Sequence, residues 1–532
     1  MIVKRHSVIF CALVVAIGGF IFGLDAALIS GTIRYITVEF NLSDLQVGAV
    51  VSAPGFGVIF ALMVTGYTCD RFGRKNTLLI ISFIYVFSAV ASVLATSFEE
   101  LFISRFIGGL AFTSLSVAAM YIGEIAPSHL RGKLVSMIQI NIVIGLSLAF
   151  FANYGLLLLS QSGLQWVVTL GIDSNIWRWM LGVEILPAIA WFVLLMFIPK
   201  SPRWLMMRNS DDKALTVLTQ FVGADKAQKE LNNIKQSLIS HDQKQSFFVL
   251  FKSLFETRLR KVMVIALTIA LVQQITGINA IMFYAPTIFE QLGVGTNAAF
   301  LQALVLGIVS IVFTFVAVFL IDRVGRRPLM IWGLALATVS LFACYWGFEQ
   351  ATYRLSADAI ANLGVPDISI LLANMTDITY SSDVEFKNAL IDALGTKNAK
   401  MHEGILFQHA ANMNAMLISV GIISFIAAFH FSLGPVMWVI FSEIFPTQIR
   451  GVAIPFFAFI ASIMSYLIQQ FFPWQLSHFG AADIFLSYAT CGVIGFLLLF
   501  KLMPETKNKS IEEIAELLST PETPELVAKR EI

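Results

Sequence analysis

Charge is scarce in this chain. Of 532 residues, 13% are charged and 57% are hydrophobic, where an ordinary soluble domain carries about 25% charged residues. The net charge is +1, so nothing in the balance points to a nucleic-acid partner. Cysteine is scarce too. Cys11, Cys69, Cys344 and Cys491 lie in or at the ends of apolar runs and form no spaced framework, which argues against disulfides and a Cys-ligated metal. The chain has no Gly-rich phosphate loop with its Lys, no metal-ligand cluster and no nucleophile–base pair in an accessible place. No metal and no cofactor is expected, and the chain does not read as an enzyme.

What abounds is long apolar sequence. Runs long enough to cross a bilayer occur near 8–31, 45–68, 77–96, 101–122, 134–159, 178–198, 259–289, 299–321, 328–348, 413–441, 452–472 and 482–503. They predict an all-α membrane protein of twelve transmembrane helices, with the lipid bilayer as its solvent. The first run holds Asp25 and precedes no small-residue cleavage site, so it is a retained span rather than a signal peptide. Basic residues gather in alternate connections: Lys4-Arg5, Arg71/Arg74/Lys75, Arg131/Lys133, Lys200/Arg203/Arg208, Arg323/Arg326/Arg327, Arg450 and Lys501/Lys507. The positive-inside rule then puts both termini in the cytoplasm of a plasma-membrane or bacterial inner-membrane protein.

Three stretches depart from this pattern. Residues 199–258 are polar, with helical spacing in Lys213–Phe221 and Leu231–Leu238, and are expected to be a cytoplasmic helical linker between halves 1–198 and 259–503. Residues 349–411 are polar and net acidic, an extracytoplasmic insertion in the second half. At about 60 residues it exceeds ordinary connections and should be functional or disordered; a lid over the outer vestibule is one reading. The cytoplasmic tail, 504–532, is expected to be helical over Ile511–Leu518.

The halves are a repeat. Asp70-Arg71-Phe72-Gly73-Arg74-Lys75 returns as Asp322-Arg323-Val324-Gly325-Arg326-Arg327, and Glu124-Ile125-Ala126-Pro127 through Arg131-Gly132 returns as Glu443-Ile444-Phe445-Pro446 through Arg450-Gly451. The two offsets, 322 − 70 = 252 and 443 − 124 = 319, differ by the size of an insertion, which 349–411 supplies. Duplicated six-span units predict two pseudo-symmetric halves that rock about a site between them. Asp70, Arg71, Arg74, Glu124 and Arg131, with Asp322, Arg323, Arg326, Glu443 and Arg450, are candidates for ion pairs within each half that latch the cytoplasmic side.

One stretch is too polar for its surroundings. Gln273-Gln274-Ile275-Thr276-Gly277-Ile278-Asn279 lies inside the apolar run from Val262 to Ile288. Amides in a membrane are costly without partners. Gln274 and Asn279 lie about 140° apart on a regular helix, so they converge only if the helix unwinds, as Gly277 allows. Unwound backbone at that depth is tolerated where it lines a cavity.

Together with Gly23-Leu24-Asp25, Pro199-Lys200-Ser201-Pro202-Arg203-Trp204, Gly434-Pro435-Val436-Met437-Trp438 and Pro504-Glu505-Thr506-Lys507, these motifs make the chain resemble, over nearly its whole length, the sugar porters of the major facilitator superfamily. That family includes bacterial sugar–proton symporters and mammalian facilitative glucose transporters. The resemblance implies sugar contacts at Gln139, Gln273, Gln274, Asn279 and Trp438, and an outer gate at Phe283 and Tyr284. Amides suit hydroxyls, which both donate and accept, and an indole covers the less polar ring face. Ser310, Ala461, Ser462 and Leu146 stand where relatives often carry other side chains, so the sugar's identity stays open. Asp25 matches an Asp that pairs with a span-4 Arg, here Arg105, in proton-coupled relatives; in facilitative ones that position is typically Asn. The implied function is monosaccharide uptake (hexose or pentose) with a proton by alternating access, working as a monomer. A facilitative carrier of a sugar or of a polyol such as inositol, and a transporter-like sugar receptor, remain alternatives. His430 is expected to bond a neighbouring helix rather than act.

Replacing Gln274 by Ala is expected to raise the apparent KM for sugar uptake about tenfold, the equivalent of one or two lost hydrogen bonds, with expression unchanged. Unaltered affinity for every sugar tried would remove this stretch from the site.

Overall fold

The computed structural model describes residues 8–239, 247–361, 366–446 and 449–509, together with 513, 514 and 518. Lys4-Arg5, Thr447-Gln448 of the second repeat and most of the expected tail helix over 511–518 lie outside the described residues.

Among the described residues, twelve helices are long and apolar enough to cross a membrane. In chain order the spans are Val8–Glu39, Asp44–Phe72, Arg74–Leu94, Phe98–Ile125, Leu130–Ser160, Ile176–Met196, Thr257–Phe283, Thr296–Val324, Arg326–Glu349, Ala415–Ile444, Arg450–His478 and Gly480–Leu502. They follow the expected runs and extend beyond most of them, because polar caps carry helices past the apolar stretch. Span 2, for instance, starts at a capping box in which Ser43 and Gln46 satisfy each other's backbone N–H groups. The linker segment contains helices Asp211–Val222 and Ala224–Ile239, packed on Trp204 and Leu205.

The repeated turn works alike in both halves. Gly73 and Gly325 take φ of 85° and 107°, which a side chain resists. Arg74 pairs with Asp70 at 3.4 Å and Glu124 at 2.9 Å; Arg326 pairs with Asp322 at 3.1 Å and Glu443 at 3.0 Å. A third partner comes from the segment after each half's last span. Ser201 donates to Glu124, and Thr506 donates to Glu443 at 2.6 Å. Trp204 covers Gly73, while Glu505 sits over Gly325 and accepts from the N–H groups of Arg326 and Arg327 at 3.1 Å each. Each half thus binds its own trailing segment. Arg71 bonds Tyr67 Oη at 2.6 Å, Arg450 donates to the Phe445 carbonyl at 3.1 Å, the Arg323 carbonyl accepts from Lys507, and Arg131 is exposed.

The insertion is a folded unit rather than a loop. Strand Thr352–Arg354 pairs antiparallel with Thr379–Tyr380 on one side and Ala411–Asn412 on the other, a small sheet in an otherwise helical protein. Helix Asp383–Ala410 folds back on itself at Gly395. Tyr353 and Phe386 stack, and Phe407 meets both edge-on, with ring centroids 5.3–5.5 Å apart. The unit grips both halves. Asp383 accepts from Ala481 N–H at 3.1 Å, whereas Lys400 donates to the Leu42 carbonyl at 3.0 Å and Asp44 at 3.1 Å, and the Met401 carbonyl accepts from Arg34 at 3.2 Å. Lys387 pairs with Glu403 at 2.9 Å. Burial alone lowers the Lys387 pKa, but the carboxylates of Glu403, Asp383 and Asp44 outweigh it and hold the ammonium above the ordinary lysine value.

The hydrogen bonds between the halves lie toward the insertion face. Gln470 of span 11 accepts from Ser52 at 2.8 Å and donates to the Leu45 carbonyl at 2.9 Å. Ser147 donates to the Gly307 carbonyl at 2.7 Å, and Gln161 and Asn297 exchange bonds at 3.1–3.2 Å. The Arg74 and Arg326 networks on the linker face stay within their own halves. Among the described residues, hydrogen bonds join the two halves toward the insertion and not toward the linker.

Gln470→Leu removes two bonds of that seam. At about 1 kcal/mol for each bond in a membrane, the open-to-closed ratio at the insertion face should rise roughly thirtyfold, read as longer distances between spin labels placed on spans 2 and 11 at that face.

Candidate functional site

Span 7 breaks where its amides cluster. The helix ends at Ile275, Gly277 takes the left-handed conformation (φ 84°), and a new short helix runs Ile278–Phe283. The break is also a packing requirement: a Cβ on Gly277 would stand 2.2 Å from the Tyr488 ring of span 12. It turns Asn279 back toward the preceding turn. Asn279 Nδ2 donates to Gln274 Oε1 at 2.8 Å, and Gln274 Nε2 donates to Gln273 Oε1 at 3.1 Å. Asn279 also donates to Ser465 Oγ of span 11 at 2.6 Å, and Gln469 donates to the same hydroxyl at 2.8 Å. These amides bond one another, and a ligand hydroxyl can replace any of these bonds without leaving a partner unpaired.

A charged cluster is buried in the first half. Arg105 meets both Asp25 oxygens, at 3.1 and 3.3 Å, and its Nε donates to the Val50 carbonyl at 3.0 Å. Asp25 is 6% exposed and Arg105 2%. Glu184 of span 6, 3% exposed, accepts from Tyr85 Oη of span 3 at 2.7 Å and interacts with Asp25 and Arg105. Two carboxylates thus lie near one guanidinium in an apolar setting, Asp25 in direct contact with it and Glu184 held by Tyr85; the trio is neutral when one carboxyl carries a proton.

The remaining expected residues divide. Tyr284 donates to the Gln469 carbonyl at 2.8 Å and packs on Phe472 at 4.9 Å, both of span 11; Phe283 is half-buried against the core. Gln139 shares a helix face with buried Val143 and Leu146. Trp438, 44% exposed, lies edge-on to Phe441. Neither of the latter two hydrogen-bonds the span-7 amides among the described residues. Ser310 and Ser462 donate to carbonyls of their own helices, Leu306 and Ala458, and present no free hydroxyl proton. His430 bonds Thr314 of span 8 at 3.2 Å, the interhelical role expected of it.

Sequence reasoning missed Glu184, Ser465 and Gln469. Glu184 was detectable, since an ionisable residue deep in an apolar run is a functional candidate by default. Ser465 and Gln469 sit four apart on span 11, one turn beyond the positions that the resemblance drew attention to.

Two repeated six-span halves closed around a broken, amide-lined helix define a membrane carrier of the major facilitator fold. The family model described as "Sugar (and other) transporter" matches residues 11–363 and 400–518. The chain is 34% identical over 527 residues to the arabinose-proton symporter of Bacillus subtilis (strain 168), covering 97% of each. It is 31% identical over 545 residues to the D-xylose-proton symporter of Escherichia coli (strain K12), covering 96% of this chain and 95% of that one. The solved inward-open conformation of the xylose transporter XylE from E. coli superposes with a TM-score of 0.71 at 27% identity, covering 95% of this chain and 98% of that one. The chain belongs to the sugar porter family of the major facilitator superfamily.

Gly277→Ala forces a left-handed alanine against Tyr488, a cost of about 1–3 kcal/mol. Uptake per folded molecule, normalised by size-exclusion yield, is expected to fall at least tenfold; undiminished uptake would mean that the break is dispensable.

Proposed function

We propose that this protein takes up a monosaccharide, a hexose or pentose, together with a proton, by alternating access. The observation that carries the reading is the buried Asp25–Arg105 pair with a second carboxylate, Glu184, beside it. The printed functions of the arabinose and xylose symporters support it. With the linker face taken as cytoplasmic from the basic connections, the Gln470 bonds between the halves lie on the outer side, which supports reading this conformation as closed outward.

In this mechanism a sugar displaces the Gln274–Asn279 and Gln273–Gln274 bonds, with Gln139 and Trp438 brought to it as the halves close. A proton on Asp25 removes the charge that holds Arg105. A buried pair of this kind is worth about 3–5 kcal/mol to break, comparable with the about 5.5 kcal/mol that turns a two-state equilibrium from 1:99 to 99:1. The Arg74 and Arg326 networks keep each half rigid, and Arg71, Arg131, Arg323 and Arg450 stand ready at the cytoplasmic rim to meet the other half in the outward-facing state.

The test is Asp25→Asn in cells lacking their own sugar carriers. Exchange of labelled sugar across the membrane should persist, while accumulation against a gradient and sugar-dependent alkalinisation of the medium should vanish. Accumulation at the wild-type level would overturn the coupling.

A further inference from the structure

A second polar chamber lies on the insertion side of Tyr284. It has a volume of about 120 Å3, and its walls come from spans 1, 2 and 11, the segment after span 7, and the folded-back helix of the insertion. Three cations and three anions line it, and they match pairwise: Arg34 with Glu290 at 3.4 Å, Lys387 with Glu403 at 2.9 Å, Lys400 with Asp44 at 3.1 Å. No charge is left over to hold an ion. The unspent hydrogen bonding belongs to a neutral group. Gln291 lines the chamber, is 4% exposed, and has neither Oε1 nor Nε2 partnered. Leaving a buried polar atom unpaired costs about 1–3 kcal/mol; both amide atoms lie just behind the chamber wall, and a turn of the Gln291 side chain toward a ligand would relieve that cost.

The chemistry of that ligand follows from the lining. An amide with a free donor beside a free acceptor matches a pair of hydroxyls, each of which donates and accepts. Tyr284, Phe407 and Phe472 supply apolar ring faces for a C–H surface. A water-sized group needs roughly 10–15 Å3 of such space, so the chamber takes on the order of ten non-hydrogen atoms, the size of a monosaccharide and too small for a disaccharide.

We propose that this chamber is a second monosaccharide site, which holds a sugar in front of the closed gate and passes it to the span-7 amides when the gate opens. Tyr284 is common to both sites. Its ring lines the chamber, and its hydroxyl bonds the carbonyl of Gln469, whose amide bonds Ser465, which in turn bonds Asn279. One hydrogen-bonded chain therefore joins the chamber wall to the central amides. Lys387 belongs to residues 364–399, which the family model leaves unmatched, so part of the site is built by the insertion. The choice of ligand rests on the sugar-transport reading above.

Equilibrium dialysis of purified full-length protein against labelled D-xylose, L-arabinose and D-glucose tests the proposal. Wild type should bind two molecules of one of these sugars. Gln274→Ala and Gln291→Leu should each keep one site at the wild-type Kd and weaken the other about tenfold or more, and the double variant should weaken both. The sugar retained by each single variant shows that it is folded. One sugar per wild-type chain, lost in Gln274→Ala, overturns the second site and leaves the transport reading standing. Two sites unchanged in Gln291→Leu also overturn it. No binding of any of the three sugars overturns both. If Gln291→Leu loses both sites, Lys387→Met decides: a tenfold loss of affinity at one site supports the proposal, and two unweakened sites refute it.

Discussion

Arg105 is the residue whose desolvation the rest of the first half must offset. A guanidinium placed 2% exposed within a helical bundle needs every direction of its fork occupied. Asp25 takes one edge and the Val50 carbonyl the Nε proton, which ties together spans 1, 2 and 4; Glu184 and Tyr85 bring in spans 6 and 3. The cluster holds one more carboxylate than cation, and the proposed coupling places a proton on the same few atoms that tie these spans together.

The second constraint is that the halves must be rigid and yet separable. Each Arg–Glu–hydroxyl set, Arg74–Glu124–Ser201 and Arg326–Glu443–Thr506, closes on itself within one half. Among the described residues, bonds between halves are drawn from the neutral side chains of Gln470, Ser147 and Gln161, with the ion pairs Arg34–Glu290 and Lys400–Asp44 added on the insertion face. Ionic networks on the linker face close within one half, so parting the halves there breaks none of them. The insertion changes this balance on one face. It hangs from the second half, bonds the first through Lys400 and the Met401 carbonyl, and converts an open vestibule into a lined chamber.

Much of this was legible in the chain. Twelve apolar runs, the paired Asp-Arg-x-Gly-Arg turns and the two Glu…Arg motifs specify the spans and the duplication, and the Gln273–Asn279 stretch declares its break through Gly277. Other features were not legible. Nothing in the order of residues says that Ser465 rather than Ser462 meets Asn279, because a one-turn difference along span 11 depends on how two helices cross. The insertion looked like a long polar connection because its core residues, Tyr353, Phe386, Leu390 and Phe407, are spread over more than 50 residues and show no single period.

By itself, then, the sequence determined what local periodicity and desolvation energy dictate: which segments must enter a bilayer, where a helix must break, and which side chains are too polar to stay unpaired there. Only the tertiary structure decided their partners. Glu184 joins Asp25 and Arg105, Ser201 and Thr506 complete equivalent networks in the two halves, and Gln291 is left unsatisfied in a chamber whose charges are all matched. The physical reason is range. Helix formation and burial are settled within about twenty residues, whereas a hydrogen bond between spans joins residues that may stand hundreds of positions apart and exists only once the helices have packed.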